Sequence, residues 1–317
     1  MPDAPSPANE KKRRGCGLRL TAGLVVLLAV GGYIAYRVEI GNNPAAAGCT
    51  VKTDGNDLDL DQDQAGNAAT IAAVAMSRGL PERAVTIALA TALQESQLHN
   101  LDHGDRDSLG LFQQRPSQGW GTVQQIQDPV YASNAFYDSL VKIQGYTKLP
   151  VTVAAQEVQR SGYPEAYAQH EQDATSLAAA LTGQESGALS CTTGADTAYS
   201  AGGRLGDPAK VTARLEREFG GQVKPHDDSL PRTVAVPSVP SGTAAAGQGE
   251  QRGWQVAQWA VAHAHDLKVE QVAFGDVRWQ AAKSGKGWQK VADKGGTKAA
   301  GASAPAADTV VRITVTS

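Results

Sequence analysis

Glu95 is the residue whose type and setting best suit acid chemistry. It closes a helical run in which Ala88, Ala92 and Glu95 fall at i, i+4 and i+7, so its carboxyl shares a face with small apolar side chains. Apolar walls disfavour a carboxylate, and a helix C-terminus presents the negative end of the macrodipole; both favour the protonated acid. Protonating a glycosidic oxygen near neutral pH needs such an acid. The residues alone leave the alternative of an ordinary surface glutamate. Asp105 and Asp107 are the candidates for a second carboxylate in a hydrolytic reaction, or else cap a polar loop through Asx turns. His99 and His103 stand four apart, but no His-Glu-x-x-His pattern surrounds them and the helix has already ended, so neither a metal nor any other cofactor is expected. The interleaved acids Asp54, Asp57, Asp59, Asp61 and Asp63 lack the glycine and terminal glutamate of the calcium-loop signature.

Helices must position these groups. The pattern predicts one helix over 68–78, stopped by Gly79, and a second over 82–95 that begins after Pro81. Asp128-Pro129 starts a third, running to about residue 144. Thr152 caps a short one through Arg160, and Glu165 opens one reaching Thr182. Between the second and third helices lies a long polar stretch, 96–127, of the kind that carries function. Beyond Cys191 the composition turns to Gly, Thr, Ala and Ser as far as about Gly206, which reads as a linker. An α+β segment follows, with helices at 208–219 and 253–266, strands at 233–236, 270–274, 277–280 and 309–316, and a Gly275-Asp276 hairpin signal.

The N-terminus sets the compartment. Lys11, Lys12, Arg13, Arg14 and Arg19 precede an uncharged apolar run, Leu20 to Tyr36, of 17 residues. As a helix this run is roughly 26 Å long, near the lower limit for a bilayer span. The basic flank then stays in the cytoplasm and the body is exported. Two alternatives compete with an uncleaved anchor: signal-peptide cleavage near Ala45-Ala46-Ala47, and lipidation at Cys49 within Ala46-Ala47-Gly48-Cys49. The expected organisation is therefore a basic tail (1–19), an anchor (20–36), a polar stalk (37–64), a helical domain (65–191), a linker (192–206) and a C-terminal α+β domain (207–317). Cys16 lies on the reducing side, whereas Cys49 and Cys191 lie on the exported side and are expected to form a disulfide.

Composition removes other classes. The 317 residues are 41% hydrophobic and 5% aromatic with a net charge of −3, which excludes a wholly disordered chain and a polytopic membrane protein. Residues 1–36 carry +3 and the rest −6, so an acidic body argues against a nucleic-acid partner.

Ala92, Leu93, Gln94, Glu95 and Ser96, followed by Ser108, Leu109, Gly110, Leu111, Phe112 and Gln113, resemble the two signature segments of lysozyme-like lytic transglycosylases. In that family a Glu-Ser pair ends a helix and a Gly-Leu-(Met/Phe)-Gln segment follows. Asp128-Pro129 heading a helix that holds Tyr131 and Tyr137 is similar to the family's next helix. The resemblance covers about 68–182. It implies a mostly α lysozyme-like fold outside the cell, with peptidoglycan glycan strands as substrate and unidentified wall-remodelling proteins as further partners. Glu95 would be the acid and then the base that cleaves between N-acetylmuramic acid and N-acetylglucosamine with closure of a 1,6-anhydro ring, a route needing no second carboxylate. It also implies substrate contacts at Ser96 and Gln113, with Gln114 adjoining. Trp120, between two glycines, suits stacking on a sugar or anchoring a loop. The family's Ala-Tyr-Asn-like segment aligns with 158–162, which lacks the tyrosine, so Arg160 or Tyr163 is expected to replace it; Tyr163 and Tyr167 line the far wall of the cleft or else pack into the core. A wall-binding scaffold that holds glycan without cutting it is the alternative. The segment around Gly253, Trp254, Trp259 and His263, with Val272–Trp279, Gly287-Trp288 and the last strand, resembles a C-terminal domain of wall-associated proteins related to zinc D,D-peptidases. Its last strand has no histidine, which implies a metal-free, degenerate form.

Overall fold

The computed structural model describes residues 47–161, 165–193, 205–238, 246–291 and 309–316. The expected basic tail, the apolar anchor and most of the possible cleavage site at Ala45-Ala46-Ala47 lie outside the described residues, as do Tyr163 and most of the expected linker, whereas Cys49, the alternative lipidation site, has its sulfur in a disulfide with Cys191. Among the described residues no helix is long and apolar enough to cross a membrane.

The chain is α+β. Strands β1 (Gly48–Thr53), β2 (Asn56–Leu60) and β3 (Leu189–Thr192) form an antiparallel sheet in the order β2-β1-β3. Over the described part, residues 47–64, strands and the start of a helix stand where the polar stalk of 37–64 was expected. In β2 the acids Asp57 and Asp59 point out while Leu58 and Leu60 point in, a period of two hidden under an acidic composition. Asp54-Gly55 makes the two-residue turn, with Gly55 at φ +94°. Cys49 and Cys191 face each other across β1 and β3 and form the expected disulfide.

Helix α1 (Gln62–Ser77) starts six residues earlier than the apolar pattern suggested, because Asp61 and Gln64 form a capping box. Helix α2 (Glu82–Ser96) is buried on nearly every face, from Ala84 to Leu93. It packs against α5 (Val151–Gln159), α6 (Glu171–Leu181) and α1. Burying Ile87 and Leu89 completely contributes about 1.5–3 kcal/mol each. Between α2 and α5 lie α3 (Val123–Ile126) and α4 (Pro129–Leu140), the latter capped by Asp128 with proline in its first turn. The Tyr137 hydroxyl donates to the Ile71 carbonyl and ties α4 to α1. The single helix expected over 165–182 divides into a 3-10 turn, Ala166–His170, and α6.

Downstream come α7 (Pro208–Phe219), α8 (Ala246–Ala262), α9 (Ala264–Leu267) and strands β4 (His226–Asp227), β5 (Thr233–Pro237), β6 (Val269–Phe274), β7 (Val277–Gln280), β8 (Gln289–Lys290) and β9 (Val310–Val315). The strands form an antiparallel sheet in the order β4-β5-β9-β6-β7-β8. The expected strands are all present.

The segments expected as a helical domain and a C-terminal domain both lie within one compact unit, Ala45–Ser317. Helix α8 packs on α1, α6 and β3, and α7 packs on α1. The Gln258 amide spans the junction, accepting from Leu189 N at 2.7 Å and donating to the Ala180 carbonyl at 2.6 Å. The Trp279 and Trp288 indoles donate to the carbonyls of Cys191 and Leu189. At Gly183, φ is +72° and a Cβ would sit 2.1 Å from the Gln251 carbonyl oxygen, so only glycine permits this approach of α8. Helix α8 covers apolar surface of α1, α6 and β3 that would otherwise meet water.

Candidate functional site

Glu95 sits in the last turn of α2. The helix stops because Gln97 and Leu98 both adopt left-handed backbone, with Leu98 N–H donating to the Ala92 carbonyl at 3.1 Å in a Schellman-type closure. Gln97 uses this conformation without being glycine, and its side-chain amide donates back to the Leu93 carbonyl at 2.6 Å. The Glu95 side chain is half-buried.

Tyr167 is the residue that the fold brings to Glu95. Its hydroxyl donates to Glu95 Oε1 at 2.7 Å, and its ring is fully buried. Burial first, and then the adjacent Glu95 carboxylate, push the phenol well above the ordinary tyrosine range, so it stays a donor. Next to this pair, Gln94 Oε1 accepts from Gln169 Nε2 at 2.9 Å and from His170 Nε2 at 3.1 Å. Burial pushes the His170 imidazole below its usual value, partly offset by Asp173.

Ser96 is buried, and its hydroxyl donates to the Leu111 carbonyl at 2.8 Å, fastening the helix end to the 109–114 turn. In that turn Leu109 and Gln114 exchange backbone hydrogen bonds of 2.9 and 3.0 Å. Leu111 and Phe112 are fully buried anchors, and Phe112 stacks on Phe136 at 4.7 Å. Gln113, expected to touch substrate, has φ +47° and turns inward: its Oε1 accepts from the Ser108 hydroxyl at 2.9 Å and its Nε2 donates to the Gly110 carbonyl at 3.2 Å. Gln114 is 1% exposed and donates to the Ala132 carbonyl, so it belongs to the core rather than to a binding surface. Trp120 is half-buried against the core, the loop-anchor alternative. Arg160 is exposed at the left-handed C-cap of α5.

The two loop aspartates have different employment. Asp107 accepts from Ser117 N at 2.8 Å, the Ser117 hydroxyl at 3.0 Å and Arg115 Nε at 3.0 Å. These bonds, led by the Ser117 amide, hold its carboxyl down to about 2. It staples the loop. Asp105 is exposed, and its carboxylate lies 3.9 Å from Arg106 Nε. Among the described residues neither shares a hydrogen-bonding partner with Glu95. Among the described residues no group of three or more His, Cys, Asp or Glu side chains is placed to hold a metal ion.

A second polar cluster lies at the junction of the upstream and downstream segments. Glu218 of α7, almost fully buried, accepts from Arg214 Nε at 2.8 Å, the Trp259 indole at 2.7 Å and the Thr70 hydroxyl at 3.1 Å. The buried His263 ring lies 3.6 Å away through Nε2. Burial opposes the Glu218 charge, but His263, Arg214 and the indole outweigh it and hold the carboxyl down to about 2. Burial pushes His263 below the ordinary histidine value.

Residues 234–301 match the family model described as VldE, C-terminal domain. The match begins in β5 and spans α8, β6, β7 and β8, and so excludes Glu95 and Tyr167. No match is found among curated proteins.

The sequence marks Tyr167 as one of two tyrosines for a far wall or for the core, and the structure buries its ring while turning its hydroxyl to Glu95. Its pairing with Glu95 joins residues 72 positions apart, a tertiary contact that local pattern does not encode.

Proposed function

We propose that the protein cleaves peptidoglycan glycan strands as a muramidase of the lytic transglycosylase type, within a lysozyme-like helical region and outside the cytoplasm, anchored by the apolar run 20–36. The observation that supports this reading is the Tyr167 hydroxyl on Glu95 Oε1 at 2.7 Å. With Oε1 occupied by a donor, the transferable proton of the acid sits on Oε2. That proton passes to the glycosidic oxygen as the C1–O bond of N-acetylmuramic acid breaks. The resulting carboxylate is stabilised by the Tyr167 O–H bond. It then takes the proton of the muramic C6 hydroxyl as that oxygen bonds to C1 and closes the 1,6-anhydro ring. No water is consumed, and no second carboxylate is required. Asp107, ionised and tied to Arg115 and Ser117, is assigned to the loop in this scheme.

The alternative, a module that holds glycan without cutting it, is favoured by Gln113, whose amide is engaged on both atoms within its own loop. Incubating the purified full chain and Glu95→Gln with isolated peptidoglycan separates the two. Release of soluble muropeptides by the parent alone supports the enzyme. Sedimentation of both proteins with the wall and no release by either supports the binding module.

A further inference from the structure

The 3-10 turn Ala166–His170 straddles the end of α2. Tyr167 reaches Glu95 from one side of the turn, and Gln169 and His170 both reach Gln94 from the other. Successive helical residues point about 100° apart, so Gln94 and Glu95 give the turn two separate attachment points on one helix end. A single amide oxygen accepts both bonds, at 2.9 and 3.1 Å, which uses its two lone pairs. The imidazole donates through Nε2, which the acceptor assigns as the protonated nitrogen. On the far side the turn runs into α6, where Glu171 pairs with Arg83 of α2 at 3.2 Å.

We propose that Gln94 is a positioning residue for the acid: its side-chain oxygen fixes the 166–170 turn so that the Tyr167 hydroxyl stays on Glu95. The inference rests on the reading of Glu95 as the general acid. Gln94 touches no reacting atom. It acts through the turn, and the buried Tyr167 ring supplies the lever. Small displacements of a positioned donor cost rate far out of proportion to the energy of the tether.

The test uses the full chain with Gln94→Met, which keeps the length and removes the acceptor, and Gln94→Glu, which keeps an oxygen able to accept both bonds. Glycan cleavage in Gln94→Met falls in kcat by roughly tenfold with KM within about twofold. Gln94→Glu returns kcat to within about threefold of the parent. A second readout is independent of activity: the Tyr167 ring carbon bearing the hydroxyl, 13C-labelled and assigned by its loss in Tyr167→Phe. Its NMR shift moves toward that of a free phenol in Gln94→Met and stays in place in Gln94→Glu. If Gln94→Met fails to fold, the double variant Gln169→Leu with His170→Phe removes the donors instead and is read in the same way. A Tyr167 signal that does not move when either side of the tether is removed overturns the proposal, as does an equal loss of kcat in Gln94→Met and Gln94→Glu. A parent that releases no muropeptides overturns the enzymatic reading alone, because the Tyr167 signal still decides the tether.

Discussion

Glu218→Ala is the substitution that most strongly perturbs the junction. It leaves Arg214 Nε, the Trp259 indole and the Thr70 hydroxyl without the oxygens they bond at 2.8, 2.7 and 3.1 Å. Removing one partner from a buried ionic network costs about 3–5 kcal/mol, since the remaining groups stay buried and unpaired. Because Thr70 belongs to α1 and Trp259 to α8, the loss is felt on both sides of the junction. Urea unfolding followed by tryptophan fluorescence and by far-ultraviolet circular dichroism measures it. The expected result is one coincident transition for both probes in parent and variant, with the midpoint lowered by an amount equivalent to about 3–5 kcal/mol. A loss below about 1 kcal/mol, or two transitions in the parent with only one affected, would refute the reasoning that the two segments share one core.

Acid should destabilise the protein in two stages. The folded state holds His263 and His170 below their ordinary 6.5, so stability present above that value is lost as pH falls through and below it; Glu218 adds a second loss from about 4.5 toward 2. Thermal midpoints that rise on acidification from pH 7 to 5 would contradict this. Paired Cys49→Ser and Cys191→Ser substitutions open a link across a sequence separation of 142 and are expected to cost roughly 5 kcal/mol by loop-closure entropy, read as a matching loss on addition of a thiol reductant to the parent. Asp107→Asn loosens the 105–117 loop but should leave glycan release within about an order of magnitude of the parent; abolition of release would restore it as a second carboxylate.

Much of the helical frame was legible, because α2, α4 and α7 carry their own punctuation: Pro81, Asp128-Pro129 and Asp207-Pro208 at their starts, and apolar faces inward. The hairpin of β1 and β2 was missed because five aspartates outweighed a clear alternation of Leu58 and Leu60 with acids and an Asp54-Gly55 turn. The disulfide was readable from compartment and parity. Its placement across neighbouring strands was not, because β3 is four residues long and pairs with a strand 142 positions upstream. At the site, Glu95 and its helix end were legible as local pattern. The roles of Gln113 and Gln114 were not: whether an amide faces outward or turns into its own loop depends on backbone at φ +47° and on partners such as Ser108 and Ala132, which spacing does not encode. The single folded unit was hidden for a related reason. A polar linker composition says nothing about the apolar faces of α1 and α6 that α8 covers.

In the proposed mechanism Glu95 alone supplies the acid and base for a water-free cleavage. Digesting purified peptidoglycan in water enriched in oxygen-18, with the parent and with Glu95→Gln, tests it by mass spectrometry of the released muropeptides. The expected products are 1,6-anhydro ends without incorporated label from the parent and no release from Glu95→Gln. Reducing ends that carry oxygen-18, or release that survives the loss of Glu95, would contradict it.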